Sequence, residues 1–214
     1  MRVMATTLIH AFLACTFLLA GAHAQAQVGT NQSLTDPNLA DADELVEIPH
    51  ITEGVADAII EERPFASASE LDEVLSAWLD DAQRMEVYEH LFRQIDLNSA
   101  SGDDIMLIPD MSERMVHEFE EYRPYTSLEQ FRREIGKYVD EDEVARLEQY
   151  VFIPMNLNSA SSGDFMTIPG MSERMVHEFE EYRPYTSMEQ FRREIGKYVD
   201  EGEVARLESY VTLD

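Results

Sequence analysis

From Ser101 onward the apolar residues recur three or four positions apart, which is the spacing of one face of a helix. Ser101-x-x-Asp104 has the form of a capping box and opens a first short helix, with Ile105 and Ile108 facing inward. Pro109 stops it. Ser112 caps a second helix, whose Met115, Phe119 and Tyr122 lie one turn apart, and Pro124 ends it. Ser127-x-x-Gln130 caps a third, with Leu128, Phe131 and Ile135 inside and Gly136 at its C-cap. Asp140-x-x-Glu143 caps a fourth, carrying Val144, Leu147 and Val151. No stretch alternates as a half-buried strand would, so the expected fold class is all-α.

The same pattern then returns. Residues 108–125 read IPDMSERMVHEFEEYRPY and residues 168–185 read IPGMSERMVHEFEEYRPY, with Asp110 against Gly170 the one difference. The copy extends over 97–151 and 157–211 without a gap. A diverged first copy keeps the register: Pro49, Pro109 and Pro169 fall sixty apart, as do Arg63-Pro64, Arg123-Pro124 and Arg183-Pro184, and Asp41 and Ser161 take the cap position of Ser101. Three tandem units of four short helices are therefore expected, at 36–95, 96–155 and 156–214, after a linker at 27–35.

The N-terminus has another character. Arg2 is followed by an apolar run from Leu8 to Leu19, then by two A-x-A sites at Ala22–Ala24 and Ala24–Ala26. This is the form of a secretory signal peptide over residues 1–26, and no later segment is apolar enough to span a membrane. Its removal would take away Cys15, the only cysteine, so the exported chain would be held by packing rather than disulfides. The expected location is the periplasm or the exterior. The formal charge of -27 would become about -28 on loss of Arg2. Only Lys137 and Lys197 among the sixteen basic residues are lysine, a composition that suggests a high-salt habitat.

The string NLNSASSGDFMTIPGMSERMVHEF, followed by EEYRPY and SMEQF, resembles the helix-hairpin-helix domain of the ComEA family of exported competence proteins. The resemblance covers nearly all of the expected mature chain. It implies tandem helix-hairpin-helix units and, from the family's role, binding of double-stranded DNA during uptake. In such hairpins a glycine–apolar–glycine turn brings backbone amides and a helix N-terminus up to a phosphate. Here the third unit keeps Gly170-Met171 but has Ser172 where the second glycine belongs, with Arg174 two residues on. The second unit has Asp110-Met111-Ser112 and Arg114, and the first has neither glycine. An extrinsic lumenal subunit of photosystem II uses the same fold without a DNA role, so the fold leaves the function open.

Beyond the hairpins, the basic clusters are Arg132, Arg133 and Lys137, and their copies Arg192, Arg193 and Lys197, facing either an anionic ligand or the neighbouring Glu129 and Glu134. Arg63, Arg84 and Arg93 are scattered in the first unit. His117 with Glu121 and His177 with Glu181 have ligand spacing but no third partner, so no metal and no cofactor is expected. No nucleophile–base or paired-acid arrangement is present, and the chain is not expected to be an enzyme. Two functions follow as expectations: a scaffold module with a protein partner in the cell envelope, or a DNA receptor binding weakly through the third hairpin.

Overall fold

The computed structural model describes residues 27–29 and 34–213. The expected signal peptide lies outside the described residues, as do positions 30–33 of the expected linker. Twelve helices follow one another: α1 Ala42–Val46, α2 Glu53–Glu61, α3 Ala68–Ser76, α4 Asp81–Tyr88, α5 Gly102–Met106, α6 Glu113–Glu121, α7 Leu128–Ile135, α8 Glu141–Glu148, α9 Ser162–Phe165, α10 Glu173–Glu181, α11 Met188–Ile195 and α12 Glu201–Glu208. The fold is all-α. Helices four places apart in this order begin sixty residues apart. No helix among the described residues is long and apolar enough to cross a membrane.

The helices start where polar side chains satisfy the first free amides. Asp41, Ser101 and Ser161 each close a capping box at α1, α5 and α9. Ser112, Ser127 and Asp140 cap α6, α7 and α8. Their copies Ser172, Ser187 and Asp200 do the same for α10, α11 and α12, at about 0.5–2 kcal/mol per cap. Inside the second and third sets, aromatic edges meet faces. Phe119 lies 5.3 Å from Phe131, and Phe179 lies 5.1 Å from Phe191.

Two further polar devices recur. The side chains of Asn38, Asn98 and Asn158 each bond both the amide and the carbonyl of residues 65, 125 and 185. Arg123 donates to the carbonyls of Leu97 and Ala100, and Arg183 to those of Leu157 and Ala160. Arg63 reaches Ala40 in the same way. Each arginine thus ties the loop after the second helix back to the start of its set.

Among the described residues, four two-residue strands depart from the expected absence of strands. β1 (Ile95–Asp96) pairs parallel with β2 (Val151–Phe152), and β3 (Met155–Asn156) pairs parallel with β4 (Val211–Thr212). A parallel bridge from Thr35 to Leu91 closes the first set in the same register. Val151, expected on the fourth helix, therefore lies in a strand, because α8 stops at Glu148. Parallel partners must be joined by a crossover, so the pairing spans a whole set of helices and leaves no local periodicity.

The sets pack on one another. One apolar core runs through the first two sets, and a second gathers the third set with Val28 and Phe152. Residues 27–29, expected as linker, lie against β2: Val28 bridges Phe152 antiparallel, and the Gly29 amide donates to the Val151 carbonyl at 3.0 Å. A Cβ at Gly29 would fall 1.6 Å from the Glu148 carbonyl oxygen, so only glycine fits. Arg93, 1% exposed, joins the first set to the third. It donates to the Tyr210 hydroxyl at 2.9 Å, the Ser209 hydroxyl at 2.7 Å and the Phe65 carbonyl at 3.1 Å.

Candidate nucleic-acid interface

The three hairpin positions share one backbone conformation. His50, Asp110 and Gly170 have φ of 67°, 59° and 72°. The left-handed turn is thus kept whether or not glycine supplies it, and Asp and His are among the side chains that enter it most readily. The glycine in the third hairpin has a packing reason. A Cβ at Gly170 would sit 3.0 Å from Cδ1 of Leu39, which crosses over from the first set. Arg206, buried beside it, donates to the Pro169 carbonyl at 2.9 Å. The single letter that distinguishes the two copied strings thus falls where a side chain of the first set lies against the third hairpin.

One amide of each turn is engaged from within. Met111 donates to the Ile108 carbonyl at 3.1 Å and Met171 to Ile168 at 3.0 Å. Ser112 and Ser172 take the amides of Met115 and Met175 on their own side-chain oxygens. The methionine side chains turn inward against the two cores. Arg114 and Arg174, exposed at the second position of α6 and α10, lie over the Tyr138 and Tyr198 rings at 5.7 and 5.8 Å.

The two basic clusters are each met by carboxylates. Arg132 makes a bidentate pair with Glu148 across to α8, at 2.5 and 2.7 Å, and Arg192 does the same with Glu208. Arg133 reaches Glu134 at 3.0 Å, and Lys137 joins the same carboxylate. Lys137 and then Arg133 hold the Glu134 carboxyl below its ordinary range, and Lys197 and Arg193 do so for Glu194. The ammonium groups also face aromatic rings, Lys137 at 4.7 Å from Tyr122 and Lys197 at 4.9 Å from Tyr182. The groove between α7 and α8 is lined by Arg132 and Arg133 but also by Glu129, Asp140, Glu141 and Glu148. A phosphate entering there would meet four carboxylates against two guanidinium groups that are already paired.

Glu134 was legible as a partner, being one helical turn from Lys137. Glu148 was not, because it lies sixteen residues from Arg132 on another helix. Arg93 reads from the sequence only as one of the scattered basic residues of the first unit; the signal of its buried role is a charge set in the apolar run Leu91–Ile95, in register with Ile153 and Leu213. Asn98, Arg123, Asn158 and Arg183, which carry much of the family resemblance, all act as internal clamps. His117 and Glu121 approach to 3.5 Å, and among the described residues no three His, Cys, Asp or Glu side chains gather as metal ligands would. No protein-family model matches the chain, nor does any curated protein or any solved structure.

Proposed function

We propose that the protein is an exported, non-enzymatic helix-hairpin-helix repeat protein that acts as an interaction or scaffold module in the cell envelope. The observation that carries this reading is the state of its basic side chains. Arg132, Arg133, Lys137, Arg192, Arg193 and Lys197 all bond carboxylates of the same chain, and Leu39 crowds the one glycine hairpin. A formal charge of -27 adds repulsion that a polyanion meets before any local contact.

A DNA receptor contacting phosphate through the third hairpin is the second reading. The left-handed Gly170 turn and exposed Arg174 favour it. The two are separated by cross-linking the tagged, exported chain in intact envelopes, with and without nuclease. The scaffold reading expects a discrete protein adduct that nuclease leaves unchanged. An adduct that disappears with nuclease removes it.

A further inference from the structure

Trp78, the single tryptophan, is 54% exposed at the C-terminal end of α3. It borders a groove of about 570 Å³ whose walls include Phe65 and the carboxylates Glu61, Glu62, Glu70 and Glu73, with no basic residue in its lining. Acidic walls alone would say little in a chain this acidic. The other two sets show what the position is built to hold.

Counting sixty residues on, Trp78 becomes Tyr138 and then Tyr198. In those sets the place is filled by the chain's own cations. Arg114 lies over Tyr138 and Arg174 over Tyr198. Lys137 lies over Tyr122 and bonds Glu134, and Lys197 lies over Tyr182 and bonds Glu194. The Tyr122 and Tyr138 hydroxyls meet at 2.8 Å, as do those of Tyr182 and Tyr198, which closes the arrangement. In the first set every cation of this arrangement is replaced. Gly54 stands for Arg114, Glu73 for Arg133 and Ala77 for Lys137, while Glu62 stands for Tyr122. The ring itself is kept and enlarged to indole, the aromatic that attracts a cation best. The indole packs close to Gly54, where a Cβ would touch it at an ordinary 3.5 Å, so the position of Arg114 carries no side chain in this set yet could accept one without a clash.

We propose that the groove beside Trp78 is a docking site for an arginine or lysine side chain presented by a protein partner. The incoming cation takes the place that Arg114 and Lys137 fill in the second set, over the ring and between carboxylates. The occupant is basic because all four ionisable groups lining the groove are acidic, and because the equivalent positions are cationic wherever the chain fills them itself. This inference rests on the interaction-module reading and names the chemistry of its partner.

The test uses Trp78 fluorescence, which reports this site alone. The full exported chain is titrated with an acetylated, amidated Gly-Arg-Gly-Arg-Gly peptide, and with the same peptide carrying Gln for Arg. The Arg peptide is expected to give a saturable change and the Gln peptide none. The double variant Gly54→Arg/Ala77→Lys keeps the tryptophan but restores the internal cations; it should weaken Arg-peptide binding about tenfold or more. Both positions are exposed, and the other sets carry these same residues there, so the fold is expected to be kept, as circular dichroism would verify. If it were not kept, Trp78→Ala with a fluorophore-labelled Arg peptide read by anisotropy asks the same question, and the same loss is expected. An absent response, an equal response to the Gln peptide, or unchanged affinity in the variant overturns the inference. Any of these leaves the scaffold reading to its own nuclease test. A nuclease-sensitive adduct would remove that reading whatever the peptide does.

Discussion

Replacing Arg93 should loosen the attachment of the first set of helices to the third. The guanidinium donates to Tyr210, Ser209, Phe65 and Gln94, and it lies 4.9 Å from the Tyr210 ring and 5.5 Å from that of Phe152. Hydrogen bonds from a charged donor contribute about 1.5–3 kcal/mol each, so four of them amount to roughly 6–12 kcal/mol before desolvation. Burying the guanidinium offsets several kcal/mol of that. Truncation also leaves a cavity and strands the Tyr210 hydroxyl and the Gln94 carbonyl, while the Phe65 carbonyl keeps its bond from Asn38. Arg93→Ala should therefore destabilise by about 4 kcal/mol. Arg93→Lys keeps the charge but not the fork of donors and should cost about 2 kcal/mol. Urea denaturation followed by circular dichroism reads both losses, with Trp78 fluorescence reporting the first set separately. A loss under about 1 kcal/mol for Arg93→Ala would refute the claim that this residue holds the sets together.

Three further outcomes are expected. Gly29→Ala should displace residues 27–29 from β2, because its Cβ would fall 1.6 Å from a backbone oxygen; a loss of about 2 kcal/mol or more and faster N-terminal proteolysis are predicted. Burial raises the Asp104 carboxyl, but hydrogen bonds from Ser101 and Ser69 outweigh it and leave the group below its ordinary value. Its contribution is thus present above the unfolded value of about 3.9 and lost as pH falls through the lower folded one. Ser69→Ala should cost about 1 kcal/mol at neutral pH and move the acid-unfolding midpoint upward, measured by circular dichroism against pH. Finally, the melting temperature should rise as salt goes from low to molar levels, because screening relieves the repulsion behind a formal charge of -27; an unchanged melt would contradict the high-salt argument.

The helices and their caps were legible because their causes are local. Ser101, Ser112, Ser127 and Asp140 each act within three residues of their own position, and the apolar spacing around Phe119 and Phe131 states which face turns inward. What joins distant stretches was not legible. Ile95 finds Val151 across four helices, Arg132 finds Glu148 across a turn, and Arg93 crosses more than one hundred residues to Tyr210, 117 positions away. Gly170 was read as a remnant of phosphate-binding chemistry. Its contact with Leu39, 131 positions earlier by numbering, depends on how the sets are stacked, which no hairpin motif encodes.

That contact also makes Gly170→Asp a poor probe of DNA binding, since a side chain there would press on Leu39 as well as alter the hairpin. The direct measurement is an anisotropy titration of linear duplex DNA with the full chain at several salt concentrations. The scaffold account predicts no binding tighter than about 10⁻⁴ M at physiological salt, the weak end of non-specific association. Micromolar or tighter binding, with a log–log salt slope corresponding to about three or more phosphates and lost in Arg174→Ala, would contradict it and put the DNA receptor first.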